Sequence, residues 1–280
     1  VPAEYLQDPD ACVDSILSRV GSRIVLGTPL GIGKPIALLN ALYRRVKSDP
    51  ALSLDIITAL SLNAPLGKAE LEQRFYKPIR ARVWGQVPRL EFLDDADAQR
   101  LPGNVRLIEF YTRAGSILGN ASSQQNYISS NYTHVARDMM ARGVNVLMQA
   151  VALREEGGRK RYSLSGNPDV TVQLLPLLEA SGRNVVTVVQ VNRAMPWFGR
   201  AAELDIDRAQ LVLDDPALDH ELFAVPHEPI DDVSWAIGLR SAALVRDGGT
   251  LQVGIGALGD ATCHALRVRD KESFTFALML

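Results

Sequence analysis

Short β-branched apolar runs alternate along the chain with turns rich in glycine and proline and with segments of helical period. That rhythm is how βα units of a mostly parallel sheet read. A helix is expected over 12–19, a strand over 23–26, a glycine loop, and a crossover helix over 35–48 with Pro35 as its first residue. Residues 54–61 (LDIITALS), 105–111, 144–153 and 184–191 (NVVTVVQV) are continuous apolar runs of strand length, suited to a sheet buried on both faces. A helix is expected over 132–142. EEGGRKR at 155–161 predicts a hairpin turn and a short return strand. A helix over 171–180 should stop at Gly182. Residues 77–103 break the rhythm with scattered prolines and aromatics and read as an excursion or lid rather than a sheet element. Beyond an acidic, proline-bearing stretch (214–232), the pattern gives a helix over 233–245, a strand over 250–253, a second glycine loop and a helix over 260–269.

The fold class is therefore α/β, an open, mostly parallel sheet with helices on both faces. Residues 1–220 form the first domain. Residues 221–280 form a linker and the opening helix, strand and helix of a second, similar one. An apolar face around Val245, Leu266 and the terminal ALML is expected to be left uncovered unless another chain covers it.

Composition narrows the function classes. Thirty basic against thirty-two acidic residues give a net charge of -2, with no basic excess to hold nucleic acid non-specifically. Two cysteines, Cys12 and Cys263, are too few for a disulfide scaffold and too far apart for a CxxC pair, which fits a reducing cytoplasm. No apolar run reaches the length of a membrane span, and no partner membrane is expected. A homodimer is compatible with the sequence.

Two glycine loops each occupy the expected junction of a strand and a helix. One comprises Gly27, Thr28, Pro29, Leu30, Gly31, Ile32, Gly33 and Lys34; the other comprises Gly254, Ile255, Gly256, Ala257, Leu258 and Gly259. Ligands of open α/β sheets bind outside the carboxyl ends of strands. Glycines there admit close backbone approach, and free N–H groups at a helix start attract anions or a developing oxyanion. A tight βα turn with no ligand is the competing reading of each. The second loop matches G-x-G-x-x-G, which makes a nucleotide- or dinucleotide-binding module the alternative function, although the fingerprint's distal acidic residue is missing.

IVLGTPLGIGKPIALLNALYRR, LGNASSQQNYISSNYTHVARDM, VQVNRAMPWFGR and DGGTLQVGIGALGDA occur in that order. Together they resemble the acetyl-CoA hydrolase/transferase family of the class I CoA-transferases, whose fold is NagB/RpiA/CoA-transferase-like. The resemblance implies transfer of CoA from an acyl-CoA to a small carboxylic acid, or hydrolysis of the thioester, with CoA as substrate and no metal. It implies a covalent route in which a glutamate becomes a glutamyl-CoA thioester. Residues 254–258 align with the family's CoA-contacting glycine motif. Gly27, Thr28, Pro29, Gly31, Gly33 and Lys34 lie where the acyl-site loop would be. Gly259 departs from the family, many of whose members have proline there. The nucleophilic glutamate is expected after Leu280, because Glu272 is the sole glutamate following Gly259 and lacks the family motif. The chain then corresponds to the N-terminal part of a longer member and is itself inactive.

Several other residues invite chemistry. Lys34 could meet a phosphate or carboxylate, or be an ordinary solvated lysine at a helix start. His134 and Asp138 share a helical spacing but lack a third metal ligand. SSQQNYISSNY (122–132) suits a substrate-facing loop or a polar loop satisfying its own backbone. RAMPWFGR (193–200) suits an acyl or pantetheine contact, or packing of Trp197 and Phe198 between domains. His220 and His227 have no nucleophile motif around them.

Overall fold

Period-two alternation organises the sheet. Ile24, Leu26, Leu54, Ile56, Val105, Leu107, Val146, Met148, Val186 and Val188 fall in one buried cluster. The intervening Val25, Ile57, Ile108, Leu147, Val189 and Val191 fall in another. Each strand therefore buries both faces, as a sheet covered by helices on both sides requires. The computed structural model describes residues 3–224 and 227–269. The chain divides into two compact units, Val1–Phe223 and Ala224–Leu280.

In the first unit the strands are β1 (Glu4–Leu6), β2 (Arg23–Gly27), β3 (Ser53–Thr58), β4 (Val105–Glu109), β5 (Val146–Glu156), β6 (Arg159–Ser163), β7 (Val186–Val191), β8 (Glu203–Leu204) and β9 (Leu211–Leu213). Seven run parallel in the order β1-β9-β7-β5-β2-β3-β4. The helices α1 (Pro9–Val20), α2 (Ile36–Ser48), α3 (Glu70–Val83), α4 (Glu91–Asp97), α5 (Ala121–Gln125), α6 (Val135–Ala141) and α7 (Thr171–Ala180) join them. From β2 the chain steps outward to β3 and β4, then returns to lay β5 on the other side of β2. The gap between β2 and β5 is thus the point where the winding reverses, the place where open α/β sheets bind ligands.

The outer half of β5 leaves the parallel ladder and pairs antiparallel with β6, which pairs with β8. This is the hairpin read from EEGGRKR, with both Gly157 and Gly158 at positive φ. Among the described residues, 77–103 hold no strand, as expected, and 77–89 stay exposed or half-buried, but the segment that follows is not an excursion. Phe92, Leu93 and Ala96 of α4 join the core beside α1 and α2, and Asn40 fixes the helix by donating to Arg89 O and accepting from Glu91 N.

The second unit pairs α8 (Asp232–Leu244) with α9 (Ala257–Arg269). A side chain on Gly238 would meet Ala261 at 2.8 Å, so glycine permits the two backbones to approach. Asp231 caps α8 by accepting from Ser234 N, and Arg269 donates to the carbonyls of Ala242 and Val245 at its other end. The strand expected over 250–253 is irregular chain. Its length, TLQV between glycines, offers no neighbouring strand to complete a ladder among the described residues. Leu266 is buried with Ala242 and Ala265, and Val245 packs against them, so these two are covered. The exposed large apolar residues of this pair are instead Val233, Ile237, Leu239, Leu244, Leu258 and Val268. The ALML tail lies outside the described residues.

Candidate functional site

The first glycine loop is built by close packing. A side chain on Gly27 would press on Val144, Leu174 and Met139 at 3.3–3.4 Å, and one on Gly33 would meet Asn167 at 2.7 Å and Pro29 at 2.9 Å. Residues Gly31–Gly33 form a single 3-10 turn, with Gly31 at φ +46. Thr58 Oγ1 donates to Pro29 O, tying the loop to the end of β3. Three backbone donors are engaged: Thr28 N–H by Ile57 O, Gly33 N–H by Leu30 O and Lys34 N–H by Gly31 O. The following helix begins under the Gln190 side chain, whose Oε1 accepts from Leu38 N–H in the first turn of α2.

Lys34 is not a solvated lysine. It is 1% exposed, and its Nζ donates to Ala59 O at 2.5 Å. Burial pulls its pKa from 10.5 down to about 8, opposed by the nearby charges of Glu109 and Asp169. The reciprocal effect falls on the acids. Burial pushes Glu109 up, with Ser61 and Lys34 pulling it back. Burial likewise pushes Asp169 up, against hydrogen bonds from its own backbone and Asn167 and the charge of Lys34. Neither acid is within ion-pair distance of the ammonium among the described residues. The carboxyl ends of β2, β3 and β4 and the loop before α7 thus converge on one buried cation and two reluctant carboxylates. Perturbed titrating groups gathered at strand ends make this a candidate functional centre.

Four side-chain atoms here are buried without a partner among the described residues: Thr28 Oγ1, Ser61 Oγ, Asp169 Oδ2 and Gln190 Nε2. Leu60, at φ +45 just past β3, donates to Tyr111 O, and Ser61 N–H donates to Glu109 Oε1. Strained non-glycine backbone of this kind persists where surrounding structure fixes it. Beside Glu109 lies a small cavity of about 40 Å³ lined in part by Ser61, Asn63, Asp97, Arg113 and Ser123.

The second glycine loop is open. Built side chains at Gly254 and Gly256 would meet nothing within 4 Å, and Gly256 has φ +135. Ile255 and Leu258 are exposed. Ala257 begins α9, whose 13 residues supply free N–H groups at this end. Gly259 lies in the first turn, where any Cβ would collide with Gly254 O at 2.2 Å. Glycine at this position therefore lets the loop fold onto its own helix. No strand precedes the loop, so the strand-turn-helix context of a dinucleotide fingerprint is not met.

The remaining candidates are committed elsewhere. Asp138 accepts from Ser130 Oγ and from Arg137, and His134 precedes α6. Among the described residues no three His, Cys, Asp or Glu side chains gather to hold a metal. In 122–132, Asn120 caps α5 and Asn126 returns to Ser122 O, the self-satisfied reading, while Ser123 reaches the cavity and Tyr132 feels the charge of Asp169. In 193–200, Arg193 pairs with Asp214 and Asp219, and Trp197 lies under the guanidinium groups of Arg154 and Arg161, inside the first unit. His220 Nδ1 faces Glu221 O, and His227 Nδ1 faces Asp260 Oδ2. Glu272 lies outside the described residues. No helix among the described residues is long and apolar enough to cross a membrane.

Solved structures share this fold. RipA from Yersinia pestis superposes with a TM-score of 0.60 at 21% identity, over 98% of this chain and 56% of that one. A 4-hydroxybutyrate CoA-transferase from Porphyromonas gingivalis superposes with a TM-score of 0.51 at 20% identity, over 94% of this chain and 51% of that one. The fold is CoA-transferase-like. The chain spans about half the length of these structures. No family model matches the chain, and no curated protein does.

Proposed function

We propose that the protein belongs to the acetyl-CoA hydrolase/transferase family and takes part in transfer of CoA from an acyl-CoA to a small carboxylic acid, or in hydrolysis of the thioester. The observation that carries this reading is the placement of loop 27–34. It stands where the winding of the sheet reverses, in a fold shared with a 4-hydroxybutyrate CoA-transferase, and its buried Lys34 donates to Ala59 O just past β3.

In this reading the second loop, 254–258, receives CoA. Its open glycines admit close approach, and the start of α9 favours a phosphate. The first loop receives the acyl carbonyl. With the N–H groups of Thr28, Gly33 and Lys34 engaged internally, the donors left to an oxyanion are among those of Leu30, Gly31 and Ile32. Lys34 holds the loop's shape and keeps positive potential beneath it, while Glu109 and Asp169 favour their protonated forms more than exposed acids do. Isothermal titration with CoA, and separately with NAD, tests the reading. Binding of CoA without binding of NAD is expected; the reverse would overturn it.

A further inference from the structure

The small cavity beside Glu109 is lined by oxygen atoms that the fold leaves unused. Ser61 is 9% exposed, and its Oγ is buried with no hydrogen-bond partner among the described residues. Glu109 Oε1 accepts from Ser61 N–H, which leaves Oε2 for another partner. The carboxylate of Asp97, at the end of α4, takes part in no hydrogen bond or ion pair among the described residues. Asp97 and Arg113 are exposed, so the cavity meets solvent on their side. Its volume of about 40 Å³ has room for a few water-sized groups and none for an organic substrate.

The surrounding charges leave one negative charge uncancelled. Asp97, Glu109 and Arg113 line the cavity itself. Asp94 and Arg89 stand near Asp97 and pair with each other. Lys34 faces both Glu109 and Asp169. With Asp94, Asp97, Glu109 and Asp169 ionised, four acids therefore stand against the three bases Lys34, Arg89 and Arg113. An anion in the cavity would deepen that imbalance, one positive charge cancels it, and two overshoot. Oxygen donors without sulfur or imidazole suit hard cations. Among the described residues no three His, Cys, Asp or Glu side chains gather to hold a more highly charged metal.

We propose that this cavity binds one monovalent metal cation, potassium or sodium, through the carboxylates of Asp97 and Glu109 and the hydroxyl oxygen of Ser61. The ion joins the end of α4 to the end of β4 and to the segment just past β3, where Ala59 O holds Lys34. It thereby steadies the support beneath loop 27–34, and its test needs no CoA.

Thermal unfolding at constant ionic strength in the chlorides of potassium, sodium and tetramethylammonium reads the site, since the last cation is too large for the cavity. Potassium or sodium should raise the melting midpoint along a one-site saturation curve. Asp97→Asn, at an exposed position, should fold and lose that rise, and Glu109→Gln should lose it as well. Glu155→Gln removes an equal charge from the exposed hairpin and should keep it. Should Glu109→Gln fail to fold, Asp97→Asn alone decides. Equal midpoints in all three chlorides overturn the proposal, as does a rise retained in Asp97→Asn. A larger rise with magnesium at the same ionic strength would make the site divalent, and a rise that follows the anion rather than the cation would assign it to Arg113; either overturns the proposal.

Discussion

The two glycine loops look alike in sequence and are opposite in structure. In the first, side chains of Asn167 and Pro29 leave no room for a Cβ on Gly33, and those of Val144, Leu174 and Met139 pack tightly over Gly27. In the second, Gly254 and Gly256 face empty space; Gly259 is required by its own loop, and Gly256 by its backbone at φ +135 rather than by any neighbour. One loop is a rigid, braced platform over buried charge; the other is an exposed stretch of backbone. Glycine marks close packing in one case and access in the other, and a motif match cannot distinguish them.

The strongest break in that comparison is at the brace. Lys34→Ala removes a fully buried side chain and its hydrogen bond to Ala59 O, and should cost about 2–5 kcal/mol in denaturant unfolding. Next is the pH response of the same residue. Lys34 has a pKa of about 8 in the folded chain against 10.5 free, so between those values the unfolded state binds the extra proton and stability rises with pH. The rise should approach about 3 kcal/mol, read as the difference from Lys34→Met, which lacks the group. Glu109 and Asp169 act in the opposite sense, since their raised pKa values make stability fall as pH climbs from the ordinary carboxylate range to the raised one. Gly33→Val should come third, at about 1–3 kcal/mol, because Asn167 and Pro29 must move. Gly254→Ala should be smallest in stability, within about 0.5 kcal/mol, yet should weaken CoA binding measurably by calorimetry. A large stability loss at Gly254, or none at Gly33, would erase the distinction between the loops.

The parallel sheet was legible because buried strands such as VTVVQV are continuous apolar runs of strand length. The short edge strands were not: EYL and LVL pair as β1 and β9, but three residues carry no period. Helix α4 was hidden by the prolines and acids around it, although Phe92, Leu93 and Ala96 supply a buried face. At the site, position was readable and environment was not. Lys34 stands at a helix start, where most lysines reach solvent; its burial arises because strand ends distant in sequence meet there. Glu109 could have been noticed as an acid closing a buried strand. Asp169, within a turn-like SGNPD, gave no such signal. The strand expected over 250–253 failed because four residues between glycines, only Leu251 and Val253 of them apolar, were read as a strand with no partner in view.

The central claim is that this chain uses its open loop to bind CoA, and hydrogen–deuterium exchange with and without CoA tests it most directly. The account predicts slowed exchange at 254–258 and the first turn of α9, with loop 27–34 already slow in the free protein. Protection by NAD rather than CoA at that loop, or CoA protection confined to other segments, would contradict it.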